Sequence, residues 1–239
     1  MQDLKLISGV RISSWEYNAA NGVGNREFDN EVTPYIGLIY DLDDNHSIYT
    51  SYTSIFKPQN FKDASGNYLD PIDGKSYEAG IKGEYFDGRL NTAISIFRIE
   101  QDGVGEKIDG VFVANTTEQA YKVAKGVVSK GVEFNISGEI ADNFNLDFGL
   151  ANFEAEQENG SKFNTDSSRT TANLWAKYTI SNYRFGAGLN YKSKFYTGSG
   201  ANKITQDEFI TTDLMAGYKV NKNLDLQLNI NNVFDEKYY

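Results

Sequence analysis

Three carboxylates at alternating positions, Glu154, Glu156 and Glu158, and the adjacent pair Asp207-Glu208 are the first groups in this chain with metal-binding character. Alternating acids could hold calcium, but no Asp-x-Asp-x-Asn-Gly loop accompanies them, and a solvated acidic face accounts for them more simply. Gly103-Val104-Gly105 and Gly198-Ser199-Gly200 have the composition of phosphate cradles. No helix pattern follows either one, so the backbone amides of a helix N-terminus are not supplied. The chain has a single histidine, His46, which falls in a short turn and reads as structural, and it has no cysteine. Thiol chemistry, disulfides, Cys-ligated zinc and a His-based triad have no residues to build them. No Ser, Asp or Glu pair carries a recognisable base or orienter, so the residues indicate no enzyme and no bound cofactor or metal.

The elements that would position any ligand are strands. Leu224, Leu226, Leu228 and Ile230 alternate with Asp225, Gln227, Asn229 and Asn231. Val132, Phe134 and Ile136 alternate with Glu133, Asn135 and Ser137, and the pattern recurs in Phe144–Leu150, Tyr183–Tyr191 and Tyr77–Tyr85. Period two with charges in mid-strand is the mark of a sheet with one apolar and one polar face. The composition agrees: 16 Tyr, 15 Phe and 22 Gly stand against only 3 Pro among 239 residues, and proline cannot donate to a ladder. With 23 basic and 33 acidic side chains the net charge is −10. That balance argues against nucleic acid and against a polybasic membrane-surface protein. No apolar run approaches the roughly 20 residues of a membrane helix, and MQDLKLISGV is not a secretory signal.

The pattern predicts eleven strands, near 3–14, 31–42, 46–57, 74–86, 89–101, 123–139, 143–156, 168–180, 183–195, 209–220 and 223–233. Most reach the 9–11 residues that a tilted membrane strand needs, beyond the five or six usual in soluble sheets. Short turns at Asp43-Asp44-Asn45, Asp87-Gly88, Ala141-Asp142, Ser181-Asn182 and Asn221-Lys222 alternate with long loops near 15–30, 58–73, 102–122, 157–167 and 196–208. All long loops then fall on one side. This is the layout of an all-β, antiparallel up-and-down transmembrane β-barrel, with short periplasmic turns and long extracellular loops, and not of a Greek-key sandwich. Tyr40, Phe56, Tyr85, Phe86, Tyr178, Tyr196, Tyr218, Tyr238 and Tyr239 cluster near strand ends, where interfacial girdles place aromatic rings. Eleven is odd and leaves two open edges, so the expectation is part of a larger barrel, in which Met1 need not be a true start.

Several stretches together resemble TonB-dependent ferric-siderophore receptors, with ferric coprogen, other hydroxamate and ferripyoverdine receptors the nearest in pattern. They are Tyr49–Gln59, Gly66–Pro71, Gly74–Glu84, Gly88-Arg89-Leu90-Asn91, Ser129–Glu133 and the closing Asn231–Tyr239. The resemblance implies a barrel of roughly 22 strands plugged by an N-terminal domain. Residues 1–239 would then be its C-terminal half, about 11 of those strands, with the plug, the first strands and the last strand absent. It implies a Gram-negative outer-membrane protein that binds and imports a ferric siderophore. Its partners would be outer-membrane lipid and TonB–ExbB–ExbD, the latter through the N-terminal region that this chain lacks. The iron would stay in its chelate. Cobalamin, heme or a glycan is the alternative cargo, and a soluble β-rich adhesin or carbohydrate-binding module, or a passive porin, a more distant reading. A single histidine weighs against heme.

On this reading Trp15 and Tyr17, in the loop from Ser14 to Asn30, with Phe56 and Tyr196 at the same end, are the candidate substrate-binding rings. Girdle anchoring or loop packing is the plainer explanation of them. Glu78, Lys82 and Glu84 fall on the lumen face with Lys82 between two acids, and Trp175 shares the lumen register. Local charge pairing in a wet interior is the plainer explanation, and contact with the plug the functional one. Gly80 and Gly83 would leave bare backbone for a closely approaching element.

Overall fold

Alternating β-branched and aromatic residues with scarce proline favour extended backbone along the whole chain. A computed structural model describes residues 3–18, 24–124, 126–163, 165–198 and 200–238. Met1, Ser199, Tyr239 and part of the 15–30 loop lie outside the described residues. The strands are β1 (Leu4–Tyr17), β2 (Arg26–Asp41), β3 (His46–Lys57), β4 (Ile72–Tyr85), β5 (Leu90–Asp102), β6 (Val104–Phe112), β7 (Gln119–Ala124), β8 (Val127–Ala141), β9 (Phe144–Glu156), β10 (Thr170–Ile180), β11 (Tyr183–Lys192), β12 (Phe195–Thr197), β13 (Ile204–Gln206), β14 (Phe209–Asn221) and β15 (Leu224–Ile230). Eleven of them form one sheet in the order β1-β2-β3-β4-β5-β8-β9-β10-β11-β14-β15, each pair antiparallel.

Consecutive sheet strands are neighbours throughout, as the turn and loop alternation predicts. The short turns use residues that tolerate a left-handed backbone: Asp87, Asn143 and Ser181 have φ of 54°, 62° and 52°. In the first turn the Asp43 carboxylate accepts backbone N–H bonds from Asn45 and His46, each 2.8 Å. The Asn45 amide, followed by the His46 ring, holds the Asp43 carboxyl below its ordinary range.

Three expectations about the loops are corrected. β1 and β2 run past the expected ends at 14 and 31, so Trp15 and Tyr17 lie on a strand, paired with Phe28 and Arg26. A bulge between Ser13 and Trp15 absorbs the register change and lets the hairpin continue. The loop expected at 102–122 contains the β6–β7 hairpin, and residues 123–124, expected at the start of a sheet strand, close that hairpin instead. The loop at 196–208 contains the short β12–β13 hairpin and a 3-10 turn at Gly200–Asn202.

Register fixes two chemically different faces. On one, Ile94 pairs with Phe134 and Ile96 with Val132; on the other, Ser95 pairs with Glu133 and Asn91 with Ser137. The apolar face is bare: Leu4 is 69% exposed, Ile96 60% and Leu228 61%. A sheet with aliphatic side chains exposed in rows across its strands needs lipid against that face. Tyr178, Tyr183 and Tyr218 ring its short-turn end, with Tyr183 and Tyr218 stacked at 4.8 Å. Two residues expected in the girdle do other work. Tyr238 stacks on Phe209 at 4.6 Å, and Tyr196 belongs to β12 above the sheet. The tightest packing is at the long-loop end, where Leu69, Ile72, Val113, Ala120, Ala124 and Val127 are buried.

Gly138 sits between β5 and β8 with φ 133°, and a Cβ there would run into the Arg89 carbonyl oxygen. Neither can move without breaking ladder bonds. Gly138→Ala is expected to destabilise the folded sheet by about 2 kcal/mol or more, read as a lower urea midpoint for loss of folded-barrel mobility on an unheated gel.

Candidate functional site

The long-loop end carries one constellation with ligand-binding character, centred on Arg26. The bulge keeps Trp15 and Tyr17 on one face of β1, where their rings stack at 6.2 Å. Across the hairpin, β2 presents Phe28 to Trp15 at 5.6 Å. The Arg26 guanidinium carbon lies 4.0 Å from the Tyr68 ring centre, 5.2 Å from Trp15 and 5.8 Å from Tyr17. Such contacts hold a cation against the negative faces of the rings. Arg26 also donates Nη1 to the Gln59 carbonyl at 2.7 Å and Nη2 to Asn60 Oδ1 at 2.6 Å. Among the described residues its buried Nε meets no hydrogen-bond partner, which leaves a directed donor in an aromatic box.

Loop 58–71, between β3 and β4, delivers Tyr68 to this box, and the β6–β7 hairpin holds that loop. Phe61 stacks on Tyr121 at 4.1 Å. The Tyr121 amide donates to the Lys62 carbonyl at 2.8 Å, and the Ala114 amide to Ala64 at 2.9 Å. Buried Gln59 donates to the carbonyls of Asp70 and Gly103. Lys62 pairs with Glu118 at 2.8 Å, a bond that raises its pKa. Asn67 donates to Asp63 through its side chain and backbone, and the side-chain bond is the larger cause of the lowered Asp63 pKa. These are neighbouring loops tied into one unit, which limits the entropy lost when a ligand seats against Tyr68.

Of the four proposed binding rings, the structure brings Trp15 and Tyr17 together around Arg26 and reaches Phe56 through Phe28, 5.8 Å away. Tyr196 lies elsewhere. Lys203 Nζ sits 3.8 Å over its ring, its amide bonds to the Thr165 carbonyl, and neighbouring Arg169 packs over Phe153. Arg26, Phe28 and Tyr68 complete this constellation, and the sequence pattern does not single them out. The readable signal is Arg26 and Phe28 at alternating positions ahead of the expected start of β2. Tyr68 has none, because a loop residue is placed by tertiary contacts alone.

The polar face holds the second group. Tyr49 donates its hydroxyl to the Glu78 carboxylate, and Lys82 Nζ lies 4.7 Å over the Tyr49 ring. The expected pairing of Lys82 with two acids is corrected: among the described residues no ion pair joins it to Glu78 or Glu84, and the Tyr49 ring takes the cation instead. Gly80 is explained by both neighbouring strands: a Cβ there would stand 2.5 Å from the Ile94 carbonyl oxygen of β5 and 2.7 Å from the Tyr49 ring of β3. Glu84, Lys82, Lys5, Asp41, Asn91 and Ser137 line a 590 Å³ hollow near the short turns, where Lys5 and Asp41 pair at 2.6 Å. Trp175 lies flat over Gly186 and Gly188, where added Cβ atoms would come within 2.6–2.7 Å of its ring. His46 sits between Asp43, 2.9 Å from Nδ1, and the Tyr85 hydroxyl, 3.0 Å from Nε2. Among the described residues no three acidic, His or Cys side chains converge as a metal site. Glu154, expected among the alternating acids, faces Lys130 at 3.9 Å.

Residues 1–233 match the family described as TonB dependent receptor-like, beta-barrel. The chain is 36% identical over 250 residues to the ferric-pyoverdine 358 receptor of Pseudomonas putida, covering 99% of this chain and 30% of that protein. It is 33% identical over 252 residues to the ferripyoverdine receptor of Pseudomonas aeruginosa, covering 99% and 31%. Among solved structures, the P. aeruginosa outer-membrane ferripyoverdine receptor bound to ferripyoverdine superposes with a TM-score of 0.82 at 32% identity, over 99% of this chain and 33% of that one. The siderophore receptor PiuA of Acinetobacter baumannii gives 0.72 at 27%, over 99% and 37%. The chain spans about a third of the length of these relatives. With its bare apolar face and its looped and short-turned ends, the chain belongs to the β-barrel family of TonB-dependent receptors of the Gram-negative outer membrane.

Proposed function

We propose that this chain forms part of the wall and loops of a receptor that captures a ferric siderophore outside the cell and imports it with energy delivered through TonB–ExbB–ExbD. The observation that carries this reading is the Arg26 box. It offers three ring faces, a cation and a buried Nε donor at the long-loop end, on the polar side of a lipid-facing sheet. A siderophore chelate presents flat conjugated groups and oxygen acceptors, which rings and a guanidinium bind together. Iron remains inside the chelate, so no protein metal ligands and no catalytic step are required of this chain. Ferric pyoverdine is the first ligand to try, because two relatives that match along 99% of this chain are named for it. Heme is disfavoured by chemistry: His46 is the one histidine of the chain and is held between Asp43 and Tyr85 in a short turn.

We assign Glu78, Lys82, Glu84 and Trp175 to contact with a plug inside the lumen. Glu133 and Glu78, the latter already accepting the Tyr49 hydroxyl, both face the polar side, and a basic element from a plug would balance their charge.

Ferric-pyoverdine uptake by cells expressing the receptor should be saturable and should fall to background when TonB is deleted; uptake unchanged by that deletion contradicts the proposal. Arg26→Ala and Trp15→Ala should each weaken binding of the chelate about tenfold with the receptor still folded, whereas Tyr196→Ala should leave it within about twofold. Glu78→Gln should keep chelate binding and reduce uptake, and equal loss of both would place Glu78 in the binding site instead.

A further inference from the structure

β3 stops at Lys57 because Pro58 has no N–H to give the ladder. The next residue, Gln59, turns inward and is 6% exposed. A carboxamide buried that deeply must find partners for two N–H bonds and an oxygen. Its Nε2 donates to the carbonyl of Asp70, at the far end of loop 58–71, and at 2.6 Å to that of Gly103, where β5 gives way to β6. Its backbone carbonyl accepts Nη1 of Arg26 at 2.7 Å, and Oδ1 of the following residue, Asn60, accepts Nη2 at 2.6 Å. One residue therefore joins β2, the end of its own loop and the base of the β6–β7 hairpin, which lie 33, 11 and 44 residues away in the chain. The direction of the amide is fixed, because the reverse orientation would set Oε1 against two carbonyl oxygens. Among the described residues Oε1 then meets no partner, and it lies beside Gly105, where an added Cβ would stand 3.2 Å from it.

We propose that Gln59 is the positioning residue of the Arg26 box: it aims the guanidinium at the rings and so sets the affinity for the captured chelate. The role rests on the ferric-siderophore reading of that box. A guanidinium is a planar fork, so two acceptors on consecutive residues fix its plane as well as its place. Those acceptors belong to Gln59 and Asn60, and the Gln59 amide pins that dipeptide at two points. Without the pin, Arg26 is a long side chain free to sample several rotamers against Trp15, Tyr17 and Tyr68. The orphan Oε1 argues against a role in packing alone. A methionine of similar volume would fill the same space and bury no unmatched acceptor, so what the amide supplies is direction. Because the same amide holds Gly103, the seating of the β6–β7 hairpin and the aim of Arg26 are one adjustment.

The test follows uptake of ferric pyoverdine by cells carrying the full-length receptor, comparing Q59M, R26A and the double substitution. R26A should raise the half-saturating concentration about tenfold. Q59M keeps the volume and removes the donor; it should raise that concentration about fivefold, less than R26A because the charge is still present, with the maximal rate unchanged. The double substitution should stay within about twofold of R26A alone, since Gln59 acts through Arg26. Q59N keeps the amide but shortens its reach, and it should repeat the loss if unheated gel mobility shows that Q59M does not fold. An unchanged half-saturating concentration in Q59M beside a raised one in R26A would overturn the positioning role and leave the box standing. A fall in maximal rate alone would make Gln59 a structural knot, and additive losses in the double substitution would mean an effect that bypasses Arg26; either overturns the role. No effect of R26A, or no saturable uptake by the unsubstituted receptor, would overturn the ferric-siderophore reading and this role together.

Discussion

Everything in this molecule follows from one constraint: in hydrocarbon each backbone N–H and C=O must find a partner in another strand, because water is not there to supply one. Ten antiparallel pairings meet that demand across the sheet from β1 to β15. Once the ladder is fixed, the side chains have no freedom of face, since a one-residue slip would carry every aliphatic group into the lumen and every charge into lipid. Ile94, Ile96, Phe134 and Val132 therefore face lipid for the same reason that Ser95, Glu133 and Ser137 face the wet interior. Gly138 shows the same demand acting on conformation, in that its φ of 133° is needed to bring β8 against the Arg89 carbonyl.

The binding chemistry is built where the constraint relaxes. Above the bulge at Ser13/Trp15 the β1–β2 hairpin leaves the regular sheet, and its face carries rings in place of small polar groups. Arg26 organises these rings because it meets three of them and two loop acceptors at once. The loop that supplies Tyr68 is in turn fixed by Phe61 on Tyr121 and by buried Gln59. The lumen follows a different logic. Tyr49 serves Glu78 with its hydroxyl and Lys82 with its ring face, so two opposite charges share one residue without forming an ion pair.

The sheet is legible in the sequence because its signal is local. Leu224–Asn231 states its two faces residue by residue, and the short turns announce themselves with Asp, Asn, Ser and Gly. All eleven sheet strands can be read this way, with ends shifted by a few residues. The extra hairpins cannot. β6 and β7 pair across a register irregularity between Lys107 and Phe112, which breaks the alternation a reader would look for. Trp15 and Tyr17 are recognisable as ligand-facing types but read as loop residues, because a bulge has no signature in residue order. Arg26 and Tyr68 gain their meaning only from tertiary contacts, their own spanning more than 40 residues of chain. Tyr196 shows the converse, an aromatic at the right end of the molecule that tertiary packing assigns to Lys203.

The two-faced sheet is the central claim, and the absence of native cysteine makes it directly measurable. Single cysteines placed at positions 91 to 96 of β5, spin-labelled in reconstituted bilayers, report oxygen and aqueous nickel-chelate accessibility in turn. Thr92, Ile94 and Ile96 should favour oxygen while Asn91, Ala93 and Ser95 favour the aqueous reagent, with strict period two. Accessibility to the aqueous reagent on both faces, or a period near 3.6, would contradict a lipid-facing barrel wall and the receptor reading that rests on it.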